Sequence, residues 1–289
     1  MRILVTGATG QVGRRFVPRL LRRAVAASGG GSVRVLVRDA ARAEPFAELG
    51  AEVMEGDLRD GKAVRAAVEG MDAVVNVAAA FRGVAGDETW AVCRDAAVEL
   101  GEAALEAGVG RFVQVSTTLV YGAGYGRPAV EDDEPKPLDT RGDYPAAKLA
   151  AERHLLGLHR ERGFDVRVAR LAFVYGEGDP HLAQSLRWAG TWAAHHRLHL
   201  VHHADVAQGV LRVLLADGIA GRIYNIADDA PATAVELHQL AGVEPPADAP
   251  GRPLPDPWEG IASTLRLRDE LGFRPLYPSV WTARDAGVL

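Results

Sequence analysis

Short apolar runs at residues 2–5, 33–37, 52–54, 73–77, 111–115 and 166–171 alternate with longer mixed segments at 12–26, 40–49, 60–69, 88–107 and 144–162. The short runs have the uninterrupted apolar character of strands covered on both faces, and the longer segments have the spacing of helices. Strands alternating with helices of this length predict right-handed βαβ units and a parallel, doubly wound α/β sheet. Beyond residue 176 the alternation weakens, while 204–216 and 223–226 read as a helix and a strand returning to the sheet. The predicted layout is a first domain at 1–176, rejoined by 201–227, and a small C-terminal substrate lobe formed by 177–200 and 228–289. Prolines 245, 246, 250, 253, 255 and 257 predict an irregular segment covering that lobe, and Ser28-Gly29-Gly30-Gly31-Ser32 a flexible loop before the second strand.

The first strand runs into Thr6-Gly7-Ala8-Thr9-Gly10-Gln11-Val12-Gly13 and then into a helix-like segment starting at Arg14. Glycines spaced G-x-x-G-x-x-G at a strand-to-helix junction allow a tight turn and a close approach of backbone to a pyrophosphate. The helix N-terminus that follows offers amide donors and a partial positive charge. A glycine-rich turn that only closes a βα unit is the plainer reading. The setting of strand, glycines and helix favours phosphate, and makes the predicted fold a Rossmann-type one.

A second motif carries chemistry. Tyr144-Pro145-Ala146-Ala147-Lys148 places a phenol and an ammonium one helical turn apart, on one face. A nearby cation lowers a phenol pKa from about 10, so that tyrosine exchanges a proton with a carbonyl or alcohol oxygen near neutrality.

Together these segments resemble the extended short-chain dehydrogenase/reductase family, also called the NAD-dependent epimerase/dehydratase family. The resemblance covers nearly the whole chain. It rests on Thr6 to Gly13, Gly56-Asp57-Leu58, Asn76-Val77-Ala78-Ala79, Val115 to Gly122 ending in V-Y-G, Tyr144 with Lys148, and Arg170 to Gly176. Val201 to Ala207 and Leu271-Gly272-Phe273-Arg274-Pro275 match later family segments. The resemblance implies cofactor contacts from Gly7, Thr9, Gly10, Gln11, Val12 and Gly13, from Asp57 and Leu58 beside adenine, and from Ala78, Ala79, Tyr144 and Lys148. It also implies a third catalytic group four residues before the tyrosine of V-Y-G, which is Thr117, with Ser116 as runner-up. In that reading Thr117 orients the substrate oxygen toward Tyr144, and Lys148 holds the nicotinamide ribose.

The end of the second strand distinguishes the two nicotinamide cofactors, because an acidic residue there binds ribose hydroxyls and an arginine accommodates a 2′-phosphate. Arg38 stands at the family's acidic position and Asp39 follows it. An arginine fork suits phosphate by charge and shape, Arg14 is placed to assist, and NADP(H) is expected. The opposing reading has Arg38 in solvent and Asp39 turned inward.

Three departures bear on the substrate. Thr118 and Leu119 stand where the family's sugar dehydratases carry the Asp-Glu pair for water elimination, so dehydration is not expected. Phe173 replaces an asparagine that touches the diphosphate in nucleotide-sugar members, and Leu198 falls where such members carry an arginine, with Arg197 one place off. Candidate substrate-lining residues are Phe81, Tyr121, Phe173, Tyr175, Trp188 and Trp192, the two tryptophans being four apart and so on one side of a predicted helix. An aromatic-rich lobe without diphosphate contacts suits a small apolar or aromatic carbonyl compound. The expected activity is an NADP(H)-dependent ketone or aldehyde reductase. A nucleotide-sugar epimerase or 4-ketoreductase and a non-catalytic NADP-sensing regulator are the alternatives.

A formal net charge of −5 gives no electrostatic reason to expect nucleic acid as a partner, and no apolar run reaches membrane-spanning length. The sequence enters a strand at once, so no secretory leader and a cytoplasmic enzyme are expected. The single Cys93 reads as packing. Histidines at 195, 196, 199, 202 and 203 lack carboxylate or cysteine companions in ligand spacing, and no metal is expected. Alanine-rich stretches at 88–107 and 144–162 permit close helix approach, either between subunits of a homodimer or onto the chain's own sheet.

Overall fold

The computed structural model describes residues 1–26, 31–80 and 83–289. Seven parallel strands form the central sheet: β1 (Arg2–Thr6), β2 (Ser32–Val37), β3 (Glu52–Glu55), β4 (Ala73–Asn76), β5 (Arg111–Thr117), β6 (Val166–Leu171) and the strand Ile223–Ile226. Their spatial order is β3-β2-β1-β4-β5-β6 followed by Ile223–Ile226. This is the doubly wound Rossmann order, extended by one strand at the β6 edge, with the order reversing between β1 and β4. The sequence expectation of a parallel α/β sheet therefore holds.

Alternation along the strands builds two cores. Ile3, Val5, Val33, Val35, Val75 and Val113 point to one side, where they pack with Phe16, Val17 and Leu20 of α1 (Gly13–Ala26) and with Val206 and Val210 of the helix His203–Leu215. Leu4, Val74, Phe112 and Val166 point to the other. There they meet Val64 and Ala67 of α3 (Gly61–Val68), and Leu100 and Leu155 on two longer helices. The predicted helix at 40–49 is a 3₁₀ turn, Ala40–Ala43, running into α2 (Glu44–Glu48). The one predicted at 88–107 comprises α4 (Gly86–Trp90), a π turn at Ala91–Asp95 and α5 (Ala96–Glu106). Cys93 sits buried in that π turn against the backbone of Ala80. Loop residues 27–30 and Phe81 lie outside the described residues.

Helix α6 (Asp143–Arg162) lies over β5 and β6. Ala96, Ala97, Ala103, Ala104, Ala147 and Ala151 are all buried within the chain's own core. One turn after Lys148, Glu152 forms a fully buried ion pair with Arg170 of β6, accepting from Nε at 3.1 Å and from Nη2 at 2.5 Å. Across the sheet ends, Thr6, Asn76 and Gln114 stand in register on β1, β4 and β5. The Thr6 hydroxyl donates to Asn76 at 2.7 Å and the Asn76 amide donates to Gln114 at 2.9 Å. Asn76 Oδ1 also accepts from the amide of Ala78 at 3.2 Å, which shapes the turn leaving β4.

Apart from the main sheet the chain builds a smaller lobe. Phe173–Tyr175 pairs in parallel with Leu200–His202, and Arg197–Leu198 pairs antiparallel with Ala232–Thr233. Tyr175, Leu200, Leu237, Val280 and Ala283 form the lobe's own apolar cluster. No described helix is long and apolar enough to cross a membrane.

Candidate active site

A cleft of about 630 Å³ runs along the carboxyl ends of the strands, across the point where strand order reverses. Gly7 lines its floor, and Gly13, expected as a cofactor contact, lies behind the loop and not on the lining. Gly7 has φ +71, and a Cβ there would lie 2.5 Å from the Ala78 amide nitrogen, so only glycine permits β1 and β4 to close up here. A Cβ on Gly13 would lie 2.2 Å from the Gly7 carbonyl oxygen, so the start of α1 sits directly against the loop. Thr9, Gly10, Gln11 and Val12 line the cleft, as do Ala78 and Ala79 opposite. A cradle of this kind, with glycines at the turn and a helix N-terminus behind it, fits a dinucleotide.

At one end of the cleft stand Arg38, Arg42, Asp57, Leu58 and Arg59. The Asp39 side chain accepts from the amide of Ala41 at 3.0 Å and caps the 3₁₀ turn, so it is occupied as a cap. Asp57 is gripped by Arg59, whose Nη2 donates at 2.6 Å, and that bond holds its carboxyl down at about 2. Arg38 and Arg42 have no carboxylate partner among the described residues, and Arg42 reaches the Thr9 carbonyl at 3.3 Å. Arg14, expected to assist Arg38, is exposed and does not line the cleft. Arg42 lines the cleft where Arg14 does not. Sequence reading missed it because its approach depends on the 3₁₀ turn that follows β2.

At the other end Thr117, Tyr144 and Lys148 all line the cleft. Helix α6 presents Tyr144 and Lys148 one turn apart. Lys148 is 2% exposed, and its ammonium donates to the carbonyls of Ala78 at 2.9 Å and Val115 at 3.1 Å. Burial lowers its pKa, with Cys93 and Glu152 opposing that shift. The Thr117 hydroxyl accepts from the amide of Leu119 at 3.2 Å, capping the short turn Thr118–Val120. Ser116, the runner-up, is also on the lining, and its buried hydroxyl has no hydrogen-bond partner among the described residues.

Of the expected substrate-side aromatics, Phe173 lines the cleft. Tyr121, Tyr175, Trp188 and Trp192 do not. Tyr121 is buried, donates to Asn225 at 2.9 Å and lies under the Arg170 guanidinium at 4.8 Å, so it belongs to the packing beneath α6. Tyr175 is buried against His202, with ring centroids 5.4 Å apart. The helices His181–Gln184 and Leu186–Ala189 are short, and Trp192 lies past the second, so the two tryptophans do not share a helix face. The lobe instead contributes His181, Gln184, His196, Arg197, Leu198 and His199 to the cleft, with Arg141 and Glu259 at its edge.

The lobe is fastened to α1 through Glu177, a non-glycine residue with φ +55. Arg15 donates to its carbonyl from Nη2 at 2.6 Å and from Nε at 3.2 Å, and Arg19 meets its carboxylate at 2.5 Å. Two residues on, the buried Asp179 accepts from His203 Nε2 at 2.8 Å and from the amide of His181 at 3.0 Å. His199 is held neutral. Its Nδ1 accepts from the amide of Ala262 at 3.2 Å, which leaves the proton on Nε2, facing the Asp228 carbonyl at 3.1 Å. Burial pulls its pKa down to about 4, and burial likewise pushes the neighbouring Asp228 carboxyl up to about 8.

Residues 3–227 match the model of the NAD dependent epimerase/dehydratase family. A dTDP-glucose 4,6-dehydratase of Streptomyces niveus is 31% identical over 301 residues, covering 95% of this chain and 88% of that protein. A 4-hydroxy-2-methyl-3-oxo-4-farnesyl-3,4-dihydroquinoline-1-oxide ketoreductase of Stigmatella aurantiaca is 32% identical over 253 residues, covering 83% of this chain and 71% of that protein. Among solved structures, the dTDP-glucose 4,6-dehydratase DesIV of Streptomyces venezuelae, with NAD and TYD bound, superposes with a TM-score of 0.77 at 27% identity. The superposition covers 99% of this chain and 97% of that one.

The buried histidine gives a pH prediction. A folded pKa of about 4 against an unfolded value near 6.5 means that the unfolded chain binds the extra proton. His199 therefore contributes stability that is complete above about pH 6.5 and lost as the pH falls toward about 4. His199→Gln is expected to flatten this part of the acid limb when urea midpoints are compared at about pH 7 and about pH 5. An acid limb as steep as the parent's would show that His199 is not its source.

Proposed function

The chain belongs to the NAD dependent epimerase/dehydratase family, and from this we propose that it is an NADP(H)-dependent reductase acting on the ketone or aldehyde of a small apolar or aromatic metabolite. A nicotinamide dinucleotide is the family's cofactor, and it supplies or accepts the hydride. The observation that carries the reading is the gathering of Thr117, Tyr144 and the buried Lys148 at one end of the cleft, with Thr118 and Leu119 beside them. Neither Thr118 nor Leu119 can exchange a proton in an elimination, so the site is equipped for carbonyl reduction rather than loss of water.

In this reading Tyr144 gives its proton to the carbonyl oxygen as charge develops there. The Thr117 hydroxyl, whose lone pair is already taken by the Leu119 amide, donates to the same oxygen and fixes its position. Lys148 keeps its charge near the phenol through two backbone carbonyls, and so favours the phenolate that forms. Leu119, Phe173, Val174 and Leu198 give the reacting end an apolar strip among its polar groups. The Stigmatella ketoreductase, named for a farnesylated quinoline ketone, supports this substrate class.

A second reading, a nucleotide-sugar epimerase or 4-ketoreductase, is favoured by the names of the dehydratase relatives and by the Arg141 and Arg197 side chains on the cleft wall. Both guanidiniums are engaged, Arg141 with Glu259 at 2.5 Å, and Arg197 with the Pro257 carbonyl at 2.7 Å and the Trp258 ring. NADPH oxidation assayed with aryl ketones and, separately, with a nucleotide 4-ketosugar separates the two. A homodimer through the outer faces of α5 and α6 completes the proposal, although most of their alanines are buried internally. Light scattering that returns the single-chain mass of 30.8 kDa would remove the dimer.

Two outcomes follow for the cofactor and the chemistry. Arg38 and Arg42 should make NADPH bind about tenfold tighter than NADH, since one charged hydrogen bond contributes about 1.5–3 kcal/mol. Arg38→Asp should reverse the order in a fluorescence titration, and equal affinities in the parent protein would overturn the assignment. Tyr144→Phe should lower kcat by about two to four orders of magnitude while leaving NADPH affinity intact. Near-normal turnover in that variant would transfer the proton donation elsewhere.

A further inference from the structure

A second cavity, of about 480 Å³, opens beside the cleft under the proline-rich covering segment. Trp192, Pro253, Leu254 and Pro255 form its apolar wall. It shares Arg141, His196 and Glu259 with the main cleft, so the two spaces adjoin through these three side chains. His196 is a common wall, with its ring 4.4 Å from that of Trp192 on the cavity side and its edge on the cleft side. We propose that this lateral cavity is a second compartment of the substrate site, one that takes the uncharged ring system of a substrate whose carbonyl sits at Tyr144. The proposal rests on the reductase reading above.

Three observations define that occupant. The charges around the cavity are already matched. Arg141 pairs with Glu259 at 2.5 Å, and Arg252 pairs with Asp248 at 2.8 Å while donating to the carbonyls of Gly190 and Trp192 at 2.8 and 2.9 Å. Neither guanidinium is left to neutralise a phosphate or carboxylate. At the exposed rim the Thr191 hydroxyl is turned to the Trp188 carbonyl at 2.8 Å. Between these mutually matched polar groups, and beside Thr140 and His196, a ligand meets an indole, two prolines and a leucine, surfaces that suit one face of a flat, uncharged ring system. Finally, Arg252 fastens the covering segment to the backbone on both sides of Thr191, so the wall carrying Leu254 is held opposite Trp192.

The test uses acedan, an uncharged naphthyl ketone whose emission shifts to the blue in apolar surroundings, added to the protein saturated with NADP⁺. Binding with a blue shift is expected, and Leu254→Trp, which fills the cavity, should weaken it about tenfold. Thr191→Trp enters the same space from the exposed rim, and should do likewise if Leu254→Trp disturbs the covering segment. Acedan that fails to bind, or binds equally to the parent and both variants, overturns the compartment. NADPH oxidation with acedan is read separately. Binding that responds to the variants without turnover keeps the compartment and removes the reductase, whereas turnover with unchanged binding does the reverse.

Discussion

A charged ammonium buried to 2% exposure is the constraint around which this molecule is arranged. Stripped of water, Lys148 needs acceptors in fixed places, and it finds them in the carbonyls at the ends of β4 and β5. Those carbonyls come from separate crossovers, so α6 must lie close over the junction of the two strands. One turn further along the same helix, Glu152 meets Arg170 on β6, and this second buried charge contact fixes the helix in rotation as well as in height. The polar row Thr6–Asn76–Gln114 performs the matching task on the sheet side, since Asn76 also holds the turn that offers Ala78. A helix carrying only alanines could slide over an apolar sheet. One carrying Lys148 and Glu152 has a single register.

Much of this was legible in the sequence, and for a physical reason. Buried parallel strands leave continuous apolar runs, and the glycines at 7 and 13 are demanded by backbone contacts that admit no Cβ. The tyrosine–lysine spacing is a property of one helix and needs no tertiary knowledge. Arg42 was hidden because its position follows from a 3₁₀ turn, and the turn from Asp39 acting as a cap. The tryptophans misled because a spacing of four implies a shared face only within one helix, and the helical segments here end at Gln184 and Ala189. Tyr121 and Tyr175 are tyrosines with deep structural partners, Asn225 with Arg170 in one case and His202 in the other. Pairing of that kind between distant segments leaves no local pattern.

The two ends of the cleft differ in electrical character. At the Arg38 end, cations outnumber the acids that remain available, because Asp39 is spent on a cap and Asp57 on Arg59. At the Tyr144 end Arg141 is paired with Glu259, Arg197 is bonded to the Pro257 carbonyl and stacked on Trp258, His199 is held neutral by burial, and Phe173 and Leu198 share the wall. The first end carries the surplus of positive charge. The second offers discrimination by shape and by a few fixed donors.

Glu177 bears on how the cleft behaves as a mechanical object. Its left-handed backbone is clasped by Arg15 and Arg19 from the helix that begins at the glycine loop, and its amide is bonded to Val288 of the lobe at 2.9 Å. Lobe and sheet are thus riveted at this corner by several bonds that would have to break together. The opposite corner is joined by the Arg141–Glu259 ion pair, whose side chains are 30% and 25% exposed, and beside it the amide of Gly260 donates to the Gly122 carbonyl at 3.0 Å and the amide of Gly124 to Asp256 at 2.6 Å. The cleft is therefore a frame pinned at two corners, one by arginines reaching out of the helix behind the glycine loop and the other by backbone bonds behind an exposed ion pair, and its mouth meets the lateral cavity at the second.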